Sequence, residues 1–156
     1  MSLLIERAPL AANLAAFVLF CCALLIFPGS LHGFMAVSLA LLGCLLGLGG
    51  VALVLRSRAA LGIAWSLLPK ADEGTGLVTT GPYSCVRHPI YLGLTLLAAG
   101  IAFAFASWPA LLVVACGIVP SFAWRAHTEE AQLSRTFGER FAVYRERTRM
   151  IIPYLL

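Results

Sequence analysis

Four apolar stretches divide the chain, at residues 10–27, 31–55, 90–106 and 110–124. None of the four contains an Asp, Glu, Lys or Arg residue. A helix crossing the hydrocarbon core of a bilayer needs about 20 apolar residues, with a range of roughly 17–25. The pattern therefore predicts an all-α integral membrane protein with about four transmembrane helices. The last two stretches are short. Ser107-Trp108-Pro109 between them reads as a tight interfacial turn, which makes them a helical hairpin. Pro28-Gly29-Ser30 joins the first two in the same way. Pro120 is expected to kink or locally thin the fourth helix.

The polar positions then fix an orientation. With four spans, all 11 Lys and Arg residues fall on one side of the membrane, and so do all 7 Asp and Glu residues. The two turns on the other side carry only His32 as a titratable group. The excess of basic residues predicts that the charged side is cytoplasmic, with both termini and any active site there.

Composition agrees. The chain is 61% hydrophobic and 12% charged over 156 residues, with a mean hydropathy of +0.94; soluble domains are about 45–50% apolar and about 25% charged. This length suits one compact membrane-embedded domain spanning 1–156. A secretory signal peptide is not expected, because the first apolar run lacks a basic leader beyond Arg7 and runs on into the second. Of the five cysteines, Cys21, Cys22, Cys44 and Cys116 lie in apolar runs and read as small packing residues. None forms a C-x-x-C pair or stands at zinc-ligand spacing with a histidine, so no metal site is expected. No nucleic-acid partner is expected either.

Gly43 and Gly47 in the second span are at small-xxx-small spacing, which lets helices approach closely; packing within the monomer is favoured over a dimer interface. The segment 56–87 is the one long cytoplasmic loop. It holds Trp65, Pro69, Asp72, Gly74 and Gly76 and is expected to lie partly in the membrane interface. From Thr128 to Thr148 a further helix is predicted. Leu133, Phe137, Phe141 and Tyr144 form one apolar stripe on it, with arginines over much of the rest. That amphipathic helix can lie on an anionic leaflet or pack on the protein's own loop, and Gly138 is placed to interrupt it.

Candidate chemistry concentrates at two of the membrane edges. Gly81-Pro82-Tyr83-Ser84-Cys85-Val86-Arg87-His88-Pro89-Ile90-Tyr91 precedes and opens the third span. Pro89 pushes His88 out of helical geometry and suits the first turn of a helix, so His88 is placed at a helix N-terminus, where anions are favoured. Arg87 can anchor to lipid phosphate or serve the site. At the end of the fourth span, Arg125 and Glu129 share a helical face at i and i+4 and can form a simple ion pair. Glu129 and Glu130 point in different directions from a helix, one towards a pocket. Gly74-Thr75-Gly76 is a lone G-x-G that a plain turn also explains. No G-x-G-x-x-G, P-loop or nucleophile elbow is present.

Taken in order, these residues resemble the isoprenylcysteine carboxyl methyltransferase and phospholipid methyltransferase superfamily of membrane enzymes. The matching stretch is 76–153, about half the chain. It comprises Leu77-Val78-Thr79-Thr80-Gly81-Pro82-Tyr83, then Arg87-His88-Pro89-Ile90-Tyr91-Leu92-Gly93, Arg125-Ala126-His127-Thr128-Glu129-Glu130, Phe137-Gly138-Glu139-Arg140-Phe141 and Tyr144-Arg145. The resemblance implies S-adenosylmethionine as cofactor, bound between regions 74–91 and 125–153. It implies cofactor contacts from Gly76, Leu77, Val78, Tyr83, His88, Pro89, Ile90, Tyr91 and Glu129. Arg125, with Glu129 the implied catalytic pair, matches the arginine that faces the acceptor in the carboxyl methyltransferases. The chain departs from the larger relatives in having only two spans before the motif, which bears on the acceptor more than on the reaction.

The implied activity is methyl transfer to a lipid-like or prenylated acceptor, with carboxyl O-methylation slightly favoured because an arginine suits an ionised carboxylate. Phospholipid amine N-methylation competes with it, with Glu129 or His88 as base. An NADPH-dependent sterol-type reductase, which shares an Arg-His-Pro-x-Tyr stretch, and a small non-enzymatic membrane protein are also compatible with parts of the pattern. The methyltransferase reading expects His88 and Glu129 on opposite walls of one pocket.

Overall fold

The computed structural model describes residues 2–30, 32–62 and 76–151. The interfacial placement expected for the 56–87 loop falls largely on residues 63–75, outside the described residues, as do Gly74, Thr75 and Pro153.

The protein is all-α, as the hydropathy pattern predicts. Helix α1 runs Ser2–Ile26 and α2 runs Phe34–Leu61. A short 3-10 turn, Gly81–Ser84, leads to α3 at Pro89–Ala104. Helix α4, Trp108–Val113, passes through a π-helical turn, Val114–Ile118, into α5, Val119–Phe137, and α6 follows at Glu139–Arg147. Three apolar helices are long enough to cross a bilayer: Ala8–Ile26, Phe34–Leu61 and the continuous Trp108–Phe137. The third expected span, α3, is shorter at 16 residues, or about 24 Å at 1.5 Å per residue.

Side-chain burial marks this as a protein built for lipid. Leu14 is 67% exposed, Leu25 82%, Phe34 87% and Leu45 70%, a large apolar surface that hydrocarbon can cover at no cost. The cysteines follow the same logic. Cys21, Cys22, Cys44 and Cys116 are all exposed, on the outer faces of their helices rather than in the packing core expected of them. A small apolar thiol is as much at home against lipid as against protein.

Small residues set the helix spacing. An added Cβ on Gly100 would come within 2.5 Å of the Gly43 carbonyl and 2.6 Å of the Gly47 nitrogen. One on Gly50 would meet the Gly93 carbonyl at 2.5 Å. The α2 glycine row thus packs against α3 inside the monomer. At the uncharged end the two turns lock together. The Gly29 N–H donates to the Phe105 carbonyl at 2.9 Å, and Ser107 Oγ donates to the Phe27 carbonyl at 2.8 Å. Ser107 also caps α4 by accepting from the Ala110 N–H.

Helix α1 packs on α4, the π-turn and α5. Pro120 lacks an N–H, so the ordinary bond back to Cys116 cannot form. Instead the Val119 N–H reaches Val114, the five-residue spacing of a π-turn. From its last residue onward, Ile118, Phe122, Ala126 and Glu130 form one buried row at spacing four. The expected helix over 128–148 is split. Its first half continues α5, and Gly138, at φ +51°, ends that helix and starts α6. Phe141 and Tyr144 of the apolar stripe are buried within the protein, so α6 packs on the motif region; the Tyr144 hydroxyl donates to the Tyr83 carbonyl at 2.7 Å.

Candidate active site

Pro89 fixes the local geometry of the motif. It occupies the first position of α3 with no N–H to satisfy. His88 is therefore the non-helical residue before it, and its carbonyl accepts from the N–H groups of Tyr91 (3.1 Å) and Leu92 (3.2 Å). The residues at 148–151 lie alongside. Arg149 and Met150 carbonyls accept from the N–H groups of Arg87 (2.7 Å) and His88 (2.9 Å), and Val86 and Arg149 form a parallel bridge. The His88 backbone is thus fixed through both its N–H and its carbonyl, and the residue is buried, at 7% exposure.

Helix α5 brings two carboxylates to this ring. His88 Nδ1 lies 3.5 Å from Glu129 Oε2, and Nε2 lies 3.4 Å from Glu130 Oε1. Nε2 is outside hydrogen-bond geometry, so the second contact acts through charge. Burial works to lower the His88 pKa, but the two carboxylates outweigh it and hold the ring above its ordinary value.

The two glutamates then divide. Glu129 Oε1 accepts from the Tyr91 hydroxyl at 2.5 Å and from Arg125 Nε at 3.0 Å. Glu130 Oε1 accepts from Arg87 Nε at 2.6 Å, and the same guanidinium donates to the carbonyls of Arg145 and Thr148. Exposure decides which carboxylate a ligand can reach. The Glu129 and Arg125 side chains are 19% and 17% exposed, those of Glu130 and Arg87 only 8% and 9%. Glu129 is the more accessible of the two, while Glu130 is an internal anchor tying α5 to the motif and, through Arg87, to Thr148.

An aromatic stack supports the wall. The His88 and Tyr91 rings are near-parallel with centroids 5.5 Å apart, Tyr91 stacks on Phe122 at 4.8 Å, and Phe122 meets Phe17 of α1 edge-on at 6.0 Å. The Arg125 guanidinium carbon stands 5.8 Å from the Tyr91 ring centroid.

Of the residues singled out from sequence, His88, Tyr91, Arg125 and Glu129 come together. His88 and Glu129 are in contact rather than on opposite walls, because side chains of α5 reach the residues that open α3. Tyr83 is buried close by, and burial, then Tyr144 and Glu129, push its hydroxyl pKa up. Pro89 is buried and Ile90 half-buried at the start of α3. Gly76, Leu77 and Val78 lie in the irregular stretch leading to the 3-10 turn; Gly76 has φ +69° and open space where a side chain would stand. Sequence reasoning left Arg87 between lipid and site and did not separate Glu130 from Glu129. Phe122 it missed, though its i, i+3, i+7 spacing with Arg125 and Glu129 was a usable signal.

Known proteins resemble this chain in sequence and in fold. The chain is 34% identical over 86 residues to a protein-S-isoprenylcysteine O-methyltransferase of Schizosaccharomyces pombe, covering 55% of this chain and 36% of that protein. Its fold matches the solved structure of a eukaryotic intramembrane Ras methyltransferase, an isoprenylcysteine carboxyl methyltransferase, with a TM-score of 0.68 and 23% identity. That match covers 93% of this chain and 52% of the other. The chain thus spans about a third to a half of the relatives it matches. The family profile for phospholipid methyltransferases matches residues 38–140, two thirds of the sequence. A profile match of that extent, running through both halves of the wall, places the chain in the phospholipid methyltransferase family of integral membrane proteins.

Proposed function

We propose that this protein is an S-adenosylmethionine-dependent methyltransferase whose acceptor is a lipid-like or prenylated molecule, with carboxyl O-methylation slightly favoured. The observation that carries the reading is the convergence of His88, Tyr91, Arg125 and Glu129 at the charged end of a lipid-embedded bundle. We further place that end, with both termini, on the cytoplasmic side.

The residues fit such a cofactor. Glu129 offers a partly exposed carboxylate, already oriented by Tyr91 and Arg125, which suits a cation. When bound, S-adenosylmethionine supplies an electrophilic methyl group on a sulfonium. Gly76, Leu77, Val78, Tyr83, Pro89 and Ile90 complete the proposed cofactor region. Arg125, on the same wall, orients an anionic acceptor. A carboxylate acceptor arrives ionised and needs no base, so positioning and exclusion of water are the protein's tasks. The stacked rings of His88, Tyr91 and Phe122 keep that wall rigid and dry.

A second reading, N-methylation of a phospholipid amine, is favoured by one observation: the partly exposed Glu129 carboxylate, held against His88, is able to take a proton from an ammonium acceptor.

Calorimetric titration with S-adenosylhomocysteine tests the reading. Micromolar binding by the purified protein, lost in Glu129→Gln, is the expected result. No binding by the unaltered protein, with NADPH then binding in the same cell, would replace the methyltransferase with a reductase.

A further inference from the structure

The His88 ring stands between two carboxylates, with Nδ1 at 3.5 Å from Glu129 Oε2 and Nε2 at 3.4 Å from Glu130 Oε1. The Tyr91 ring lies parallel to it. The other charges that meet this cluster are Arg87 on Glu130, Arg125 on Glu129, and Arg145, 66% exposed, at 4.0 Å from Glu130 Oε2. The hydroxyls of Tyr83, Tyr91 and Tyr144 complete the surroundings and are neutral at physiological pH. Of all these groups, only the imidazole has an ordinary pKa near neutrality.

The two carboxylates are not equally open. Glu130 is closed in by Arg87, and its side chain is 8% exposed against 19% for Glu129. A cation from outside therefore reaches Glu129 first. Glu129 Oε1 accepts from Tyr91 and Arg125, which leaves Oε2 turned towards His88. A ligand cation arriving at Glu129 thus meets a carboxylate already shared with the ring. A like charge within about 4–6 Å disfavours the charged form of a titratable group. The carboxylates hold the vacant-site ring above its ordinary pKa, and a second cation on Glu129 works against that.

We propose that His88 is a positioning residue of the cofactor site: its imidazolium holds Glu129 in place while the site is vacant, and it gives up its Nδ1 proton to solvent when a cationic group of the cofactor arrives at that carboxylate. The inference rests on the methyltransferase reading above. The Nδ1–H bond breaks and the proton leaves by way of the partly exposed Glu129. The ring stays neutral with its remaining proton on Nε2, facing Glu130, which Arg87 keeps anionic. No bond of the cofactor changes. Because the loaded site favours the neutral ring, protons are released on binding at pH values between the loaded and vacant pKa of His88, and none are released well below or well above them. Over that window affinity rises with pH, by up to about tenfold per unit for one proton.

The test uses the full chain in lipid nanodiscs. Calorimetric titrations with S-adenosylhomocysteine and with S-adenosylmethionine are run from about pH 5 to 9 in buffers of different ionisation enthalpy, whose comparison counts the protons exchanged. The expected result is a release of up to one proton that peaks within the range and vanishes at its acid end, and is at least as large for the sulfonium compound. A second measurement assigns the proton. With His32→Gln and His127→Gln, His88 is the one histidine left in the chain, and its carbon-13 ring resonance reports its protonation directly. That resonance should titrate at lower pH with S-adenosylhomocysteine bound than without. Binding with no proton exchange at any pH, proton uptake in place of release, or a His88 titration that is unmoved or raised by the ligand overturns the role of His88 and leaves the methyltransferase reading intact. Failure of the unaltered protein to bind either compound overturns that reading, and the inference with it.

Discussion

Arg87 and Glu130 are both almost out of water and hold each other at 2.6 Å. Removing one member of such a pair leaves a buried charge, which costs about 3–5 kcal/mol. Arg87→Ala is therefore expected to lower the unfolding temperature sharply in detergent, and adding Glu130→Gln to restore most of the loss. If the double variant is no more stable than the single one, the ion pair is not the reason for the loss. His88 gives a pH signature. Its folded pKa is raised above the ordinary 6.5 by Glu129 and Glu130, against the effect of burial. The folded state thus favours the imidazolium. The stabilisation is fully present below about pH 6.5 and is lost as pH rises through the higher folded value. The unfolding temperature relative to His88→Gln should accordingly be greatest at acid pH and decline above it. A difference that stays flat from about pH 5 to 9 would contradict the carboxylate contacts.

At the scale of elements, the α2–α3 contact depends on hydrogen atoms standing where side chains would be. Gly50 and Gly49 are neighbours with opposite surroundings. A Cβ on Gly50 meets the Gly93 carbonyl and the Leu97 nitrogen, whereas one on Gly49 meets nothing within 4 Å. Gly50→Ala should destabilise by about 1–3 kcal/mol through overpacking. Gly49→Ala should be neutral or stabilising by up to about 1 kcal/mol, from helix propensity alone. Paired thermal unfolding curves decide this, and equal shifts would refute close packing of α2 on α3. The break at Gly138 serves the site in a different way. It turns α6 back so that Tyr144 and Thr148 reach the motif, which a straight continuation of α5 could not do.

For the molecule as a whole, the arrangement sets which groups meet lipid and which meet water. Cys85 is exposed beside the motif at the charged end, while Cys21, Cys22, Cys44 and Cys116 are exposed on helix faces within the apolar runs. With the charged end cytoplasmic, a membrane-impermeant maleimide should label Cys85 in inside-out vesicles and not in intact cells. The other four should react only after detergent is added. Labelling of Cys85 from outside intact cells would reverse the orientation.

One-dimensional chemistry carries a definite share of this architecture. Hydropathy located the helices, because apolar length is what a bilayer selects. Pro89 placed His88 at a helix start, because a missing N–H is tolerated there. Gly138 marked a break, because a positive φ costs glycine least. The ordered motif pointed to the family. What depends on distance across the chain emerged only on folding. Arg87 and Glu130 are 43 positions apart, and no local pattern says that this carboxylate turns inward while its neighbour Glu129 faces the site. The π-turn before Pro120 resets the face that α5 presents, and α1 brings Phe17 to that face from more than 100 positions away. The cysteines read as packing residues look outward for the same reason: apolar character records that a side chain avoids water, but not whether protein or lipid covers it.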